Sequence, residues 1–253
     1  MKLQNETQDH YNINPFDFMT EEDEANISSN QPRPFFTFVH NYLKEGDRVV
    51  DVGCGPGRGT MFLVQKKMQT FAVDLSSTSI ALAKKRASRA TFICASNLYL
   101  PFSNESFDAV VSDGVIHHTP DARVSFSENA RIVKQGGYLY VGVYRRRRYY
   151  YYLYTYVGQP IRWLEKRQWG RLLVNSTLLP IYYLVHQIKT GGQRTWKGAK
   201  NFFYDYIITP QATFHTKEEI CEWASSEGFS LKEYEEHVGN VHAFIFQKVS
   251  DHE

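Results

Sequence analysis

The chain has 253 residues, with 29 Lys and Arg against 27 Asp and Glu, for a formal net charge of +2. Apolar residues at 42% and charged residues at 22% are ordinary globular proportions, which exclude a disordered, collagenous or coiled-coil chain. Cys54, Cys94 and Cys221 have no paired spacing, which argues against a disulfide scaffold or a cysteine zinc site and fits a reducing compartment.

In chain order, the acidic, Asn-rich opening predicts a helix between Met19 and Asn30, a break at Pro32 and Pro34, and a short helix over Phe35 to Leu43. Strands are then expected at 48–52, 70–74, 90–94, 107–111 and 138–143, with helices between them; Ser76 or Ser77 caps the one that runs to about Ala87. Strands separated by helical stretches of this length mean βαβ units and a largely parallel sheet covered on both faces. The alternation stops after Val143 and resumes at Thr216, an N-cap. A helix to Gly228 and two strands, 229–236 and 241–249, joined at Gly239-Asn240, close the chain.

The near-neutral total hides a division. Tyr144 to Lys200 holds twelve Lys and Arg against the single acid Glu165, a net +11 that leaves −9 for the rest. Nine of the 17 tyrosines and three of the four tryptophans lie in the same stretch, whereas the first 31 residues carry seven acids and only Lys2. Four parts are therefore expected: an acidic lid segment over 1–34, an α/β core over 35–143, a basic aromatic helical cap over 144–215, and a closing helix and hairpin over 216–253. No apolar run is clean enough to span a bilayer; the nearest, Leu172 to Ile188, is interrupted by Asn175, Pro180 and His186. The opening residues lack the apolar run of a signal peptide. The expected location is cytoplasmic, at most peripheral at the inner membrane face.

The run Val49-Val50-Asp51-Val52-Gly53-Cys54-Gly55-Pro56-Gly57-Arg58 carries the strongest chemical signal. An apolar strand ends in an acid, and glycines then let backbone amides approach a ligand before a helix opens. The spacing is neither that of dinucleotide dehydrogenases nor that of a P-loop. Asp74, ending the second strand, offers two acceptor oxygens to a ribose diol. Together with VVDVGCGPGRG and AVDLS, the runs LPFSNESFDAVVSDGVIHHTPD and VKQGGYLYVGVY make 47–143 resemble class I S-adenosylmethionine-dependent methyltransferases.

That resemblance implies a doubly wound, seven-stranded, mostly parallel sheet of the Rossmann-like methyltransferase type, with the cap inserted after the fifth strand, and S-adenosylmethionine as cofactor with no metal. It sets Gly53, Cys54, Gly55 and Gly57 along the methionine part, Asp51 near the ammonium, Asp74 on the ribose and Leu75 on the adenine face. Asp113, at the end of the fourth strand, is counted with them. Many members use an Asp for the adenine amino group; Ser96 or Asn97 stands there instead. Three side chains are candidates for catalysis: His118 after the fourth strand, His215 before the last helix, and Tyr11 in the lid.

The expected reaction is methyl transfer to a small organic or lipid-like acceptor. Tyr149, Tyr150, Leu153, Tyr154 and Val157, continued by Ile161, Leu164, Gln168 and Leu172, recur at helical spacing through the cap. Three readings of the cap stay open: an aromatic inner face with a solvated basic outer face, a surface for anionic membrane, and an anionic acceptor held by Arg145, Arg146, Arg147 and Arg148. Nucleic acid is the least favoured partner, since an Asn/Asp-Pro-Pro-aromatic motif is absent and Asp113-Gly114-Val115-Ile116 stands in its place. The alternatives in other classes are a nucleic-acid methyltransferase using the cap and a non-catalytic S-adenosylmethionine binder.

Overall fold

The computed structural model describes residues 2–146, 149–192, 195–236 and 240–249. Seven strands form one sheet: β1 (Arg48–Val52), β2 (Gln69–Asp74), β3 (Thr91–Cys94), β4 (Phe107–Asp113), β5 (Val133–Tyr144), β6 (Phe229–Glu236) and β7 (Val241–Lys248). Their order is β3-β2-β1-β4-β5-β7-β6, parallel throughout except for β7, which runs antiparallel to both β5 and β6. The expected turn between β6 and β7 includes Gly239, which lies outside the described residues.

Successive side chains leave a strand on opposite faces, and the core divides accordingly. Val50, Val52, Val110, Leu139 and Val141 pack with Phe126, Ile220 and Phe244 on one face. Val49, Ala109, Val111 and Tyr140 pack with Phe35, Phe38, Phe62 and Leu63 on the other. The first face is covered by α6 (Ala122–Arg131) and α12 (Lys217–Ser226), the second by α3 (Arg33–Tyr42) and α4 (Arg58–Gln65). The remaining core helix, α5 (Ser77–Arg86), is capped by Ser76, whose side chain accepts from the Ser79 amide at 3.1 Å.

The chain winds outward from β1 in both directions, so the carboxyl ends of β1 and β4 diverge and leave a crevice, the usual ligand position in such sheets.

The opening segment departs from expectation. A helix α1 (Lys2–Ile13) precedes the expected one, which shrinks to α2 (Glu21–Ala25). The α1 sequence has little apolar patterning and is held by tertiary polar contacts: Gln8 Nε2 donates to Leu75 O at 3.0 Å and Tyr11 Oη to Asp205 Oδ1 at 3.0 Å. The α2 helix has a capping box between Thr20 and Asp23, but Asn26 and Ser29 turn their side chains onto nearby carbonyls and end it early.

Helices α7 (Tyr149–Tyr152), α8 (Gly158–Glu165), α9 (Gln168–Leu173), α10 (Leu179–Lys189) and α11 (Trp196–Phe203) lie between β5 and α12. Three π-helical turns, Leu153–Val157, Val174–Leu178 and Tyr204–Ile208, adjoin them. A π turn adds a residue per turn and rotates the faces that follow. Of the expected inner stripe, Tyr150 and Tyr154 are buried, whereas Tyr149, Val157 and Leu172 face solvent.

Asp17 fastens the opening segment to both the core and this helical layer. Its carboxylate pairs with Arg86 at 2.9 Å and with Lys197 at 2.8 Å. Burial opposes its ionisation, but the hydrogen bonds from Lys197 and Arg86 outweigh it and hold the pKa below the ordinary 3.8. A carboxyl depressed in the folded state contributes stability above its unfolded pKa and loses it as pH falls through the folded value. Asp17→Asn is therefore expected to raise hydrogen exchange in residues 2–31 severalfold at neutral pH, the difference from wild type shrinking below about pH 4. Identical exchange at neutral pH would contradict the fastening.

Candidate functional site

The crevice beyond β1, β2 and β4 holds a cavity of about 450 Å³. Its floor is the loop after β1. Gly53 and Cys54 donate their amides to Val73 O at 2.7 and 3.0 Å, and the Gly55 amide donates to Asp74 Oδ2 at 2.8 Å. The Ser76 amide donates to Asp74 Oδ1 at 2.8 Å, so the carboxylate of Asp74 ties the β1 and β2 loops together. Gly53 and Gly55 have φ of 76° and 51°, a region costly for other residues. A Cβ on Gly53 would strike Val115 at 2.3 Å, whereas one on Gly55 would meet open space.

Asp51 sits beneath this loop, taking a hydrogen bond from Thr60 Oγ1 at 2.7 Å. Burial pushes its pKa up to about 6, and the nearby Asp113 and Asp74 add to the rise. Burial also raises Asp74, against the pull of the Ser76 and Gly55 amides. Arg58, in the first turn of α4, is the one lysine or arginine among the lining residues. Along the side wall, Asn97 is buried with neither amide atom hydrogen-bonded, while Ser96 Oγ already accepts from the Leu98 amide at 3.1 Å.

The roof comes from α1 and the helical layer. Asp205 enters from the π turn Tyr204–Ile208, takes the Tyr11 hydroxyl at 3.0 Å and the Tyr144 hydroxyl at 3.4 Å, and is held by burial above its ordinary pKa. His118 lies beside it, its Nδ1 2.8 Å from Gln211 O. A carbonyl can only accept, so Nδ1 carries a proton. Four aspartates, Asp51, Asp74, Asp113 and Asp205, thus line a cavity with one arginine.

Residues 50–141 match the model of the methyltransferase domain family. The human probable tRNA methyltransferase 9B is 36% identical over 112 residues, 42% of this chain and 24% of that protein. The fatty-acid O-methyltransferase of Mycolicibacterium smegmatis is 36% identical over 98 residues, 37% of this chain and 36% of that protein. The chain spans less than half the length of these curated relatives. Magnesium protoporphyrin IX methyltransferase from Synechocystis, solved with bound S-adenosylmethionine, superimposes with a TM-score of 0.59 at 14% identity, covering 98% of each chain.

Residues 50–141 carry a methyltransferase domain, on the fold of S-adenosylmethionine-dependent methyltransferases. In this methyltransferase core, Asp51, Gly53, Cys54, Gly55, Asp74, Leu75, Ser96, Asn97 and Asp113 all line the one cavity, as do Tyr11 and His118. Gly57 does not: it caps α4 with φ 94°, and a Cβ there would lie 2.9 Å from the Ala83 Cβ. His215 is also outside the lining, bonded to Thr213 Oγ1 at 2.9 Å and Glu219 Oε1 at 3.0 Å at the entry of α12.

Arg145 and Arg146 are drawn away from the cavity as well. Arg145 pairs with Glu236, and Arg146 pairs with Glu219 at 3.2 Å and donates to Phe214 O at 3.1 Å. Arg147 and Arg148 lie outside the described residues. Neither Arg145 nor Arg146 lines the cavity, so neither offers its charge to an anionic acceptor there.

Asp205 and Tyr144 are the site residues that sequence reasoning passes over. The signal was present: within 144–215 the acids are Glu165 and Asp205, and Asp205 sits inside the apolar run Phe202-Phe203-Tyr204-Asp205-Tyr206-Ile207-Ile208. An acid there has no reason to be buried unless it meets something.

Asp51 gives the electrostatic prediction of this site. Its folded pKa of about 6 exceeds the ordinary 3.8, so the folded chain keeps a proton the unfolded chain releases, and stability falls as pH rises through that window. Asp51→Asn keeps the acceptor for Thr60 and removes the buried charge. The variant is expected to be more stable than wild type at pH 7.5 by about 1–3 kcal/mol in urea unfolding, and nearly equal at about pH 4. A destabilised variant at pH 7.5 would contradict the charge argument.

Proposed function

We propose that this chain transfers the methyl group of S-adenosylmethionine to a small organic acceptor seated beneath the cap. The observation that carries the reading is that one cavity, at the switch point of the sheet, holds a separate match for each part of the cofactor. Asp51 and Arg58 would meet the amino-acid ammonium and carboxylate, the Asp74 oxygens the ribose hydroxyls, and the unpartnered Asn97 amide the adenine edge. The open space above Gly55 leaves room for the ligand to lie against its backbone. Leu75 would cover the ring face, and α1 would close the cavity from water through Gln4, Thr7 and Tyr11.

The cofactor supplies a methyl group on a sulfonium, which any correctly placed nucleophile can take. The chain's part is then to align the acceptor and hold its proton, and positioning alone accounts for much of such a rate. Tyr11, His118, Tyr144 and Asp205 are the groups that could do this. The tRNA and fatty acid named for the two relatives belong to proteins of which the alignments cover 24% and 36%.

The direct test is calorimetric titration of the full chain with S-adenosylhomocysteine, followed by a single-turnover assay with methyl-labelled cofactor in a cell extract. Binding with label transferred to a small molecule is expected; binding without transfer would favour a non-catalytic binder, and label recovered in RNA a nucleic-acid enzyme. Asp74→Ala is expected to weaken binding by at least ~1.5 kcal/mol, the scale of a hydrogen bond to a charged group. An unchanged dissociation constant would remove Asp74 from the ribose site.

A second reading concerns the outer face of the cap, which we propose rests on an anionic membrane surface. Among the described residues no helix is long and apolar enough to cross a membrane. Yet Trp169, Leu172, Leu173, Ile181, Leu184, Val185 and Ile188 are exposed along α9 and α10, Leu172 by 71% and Ile188 by 84%. The last four recur at helical spacing, one stripe of one helix. Lys166, Arg167, Arg171 and Lys189 bracket α9 and α10 in the chain; Glu165, the only acid over 149–189, is paired with Arg171, and Lys166 with Glu6 of the opening helix. Exposed apolar side chains in a segment whose charge is almost all positive suit an anionic interface and oppose a second copy of the same face. The full chain is expected to co-sediment with phosphatidylglycerol vesicles but not phosphatidylcholine vesicles, and to lose this in the Leu172→Ser, Leu184→Ser, Ile188→Ser triple variant. Vesicle binding that survives the substitutions, or RNA binding in its place, would contradict it.

A further inference from the structure

Asp205 is a cavity carboxylate for which the cofactor leaves no duty. It is 8% exposed, and among the described residues no lysine or arginine pairs with it. Both oxygens instead take hydroxyls, Oδ1 from Tyr11 at 3.0 Å and Oδ2 from Tyr144 at 3.4 Å. These donors favour the ionised form, as does the neighbouring His118, but burial outweighs them. A carboxylate so placed costs stability until a cation reaches it.

The space beside it is walled by the rings of Tyr11, Phe16, Phe18, Tyr144, Phe202 and Tyr206. Phe16, Phe18 and Phe202 pack ring against ring at 4.9 to 5.4 Å, and Phe202 is brought to the other two, far from it in sequence, only by the fold. Aromatic faces attract ammonium groups, most strongly where water is excluded. The one arginine of the lining, Arg58, lies over the Phe18 ring at 5.3 Å and is matched to the amino-acid end of the cofactor. An acceptor bearing a carboxylate or phosphate beside Asp205 would meet a like charge, and a plain alcohol would bring no charge to offset it.

We propose that the methyl acceptor is an amine, bound as its ammonium ion within this aromatic enclosure with Asp205 as ion partner and proton acceptor; the proposal rests on the cofactor reading above. The ammonium gives its proton to the Asp205 carboxylate and keeps the N–H electron pair on nitrogen. That pair forms the new nitrogen–carbon bond as the carbon–sulfur bond breaks with its electrons left on sulfur. Tyr11 and Tyr144 are positioning residues: their hydroxyls hold the carboxylate in place, and Tyr11 brings α1 with it.

The test titrates the full chain, saturated with S-adenosylhomocysteine, with a matched panel of arylalkyl and alkyl amines and the alcohols and carboxylates of the same shapes. Binding of S-adenosylhomocysteine comes first; if it fails, the cofactor reading fails and takes this proposal with it. With that binding in place, amines are expected to bind at least about tenfold more tightly than their alcohols, carboxylates more weakly than either. Asp205→Asn, which keeps the shape and an acceptor oxygen, is expected to erase the amine preference while S-adenosylhomocysteine affinity stays within about twofold. Amines that bind no better than alcohols, or a preference that survives Asp205→Asn, would overturn the assignment. Should that variant fail to fold, the wild-type ratio of amine to alcohol affinity decides alone.

Discussion

The carboxylate of Asp74, held between the amides of Gly55 and Ser76 at 2.8 Å each, is the constraint on which the site depends. It joins the loop leaving β1 to the end of β2 and fixes the floor of the cavity. The same loop end receives α1: Ser76 Oγ donates to Asn12 Oδ1 at 2.8 Å, and Gln8 holds Leu75 O. Once α1 is seated there, Tyr11 stands where it can reach Asp205 in the cap. A short sequence of polar contacts thus runs from sheet to α1 to cap, and it crosses the cavity rather than the hydrophobic core.

That arrangement has an electrostatic consequence. Core packing could have filled the crevice with apolar side chains; instead four aspartates line it and burial raises the pKa of at least three, Asp51, Asp74 and Asp205. Unligated, such charges oppose folding, and the two faces of apolar core must carry that cost. A ligand with an ammonium group and a sulfonium, beside an acceptor that is itself an ammonium ion, is what such a set of charges favours.

The αβ alternation was legible because the strands are short apolar runs, with β1, β2 and β4 closed by Gly or Asp, and the strand bounds match to within a few residues; β5 starts earlier, at Val133. Most residues expected to hold the cofactor line the cavity for a related reason: they cluster in two short segments, 51–55 and 74–75, whose local conformation demands particular residue types. The roof was not legible. Asp205, Tyr144 and Phe202 are far from Tyr11 and Phe16 in sequence, and only the packing of α1 on the cap unites them. The inner stripe of the cap was misread in part because π-helical turns at Leu153–Val157 and Val174–Leu178 rotate each following face, which a constant period of 3.6 cannot follow. The outer face, for which a solvated basic surface and a membrane surface both stayed open in the sequence, carries exposed aliphatic side chains. The charge of +11 likewise overstated its reach into the site, since Arg145 and Arg146 are spent on Glu236 and Glu219.

A crystal structure with S-adenosylhomocysteine bound tests the central claim most directly. The expected result has the ribose hydroxyls on Asp74, the adenine edge on Asn97, and the sulfur turned toward the space enclosed by Tyr11, His118 and Asp205. A nucleoside lying beneath the cap with its sulfur away from Asp205, or one that leaves Asp74 bonded only to its own backbone amides, would contradict it.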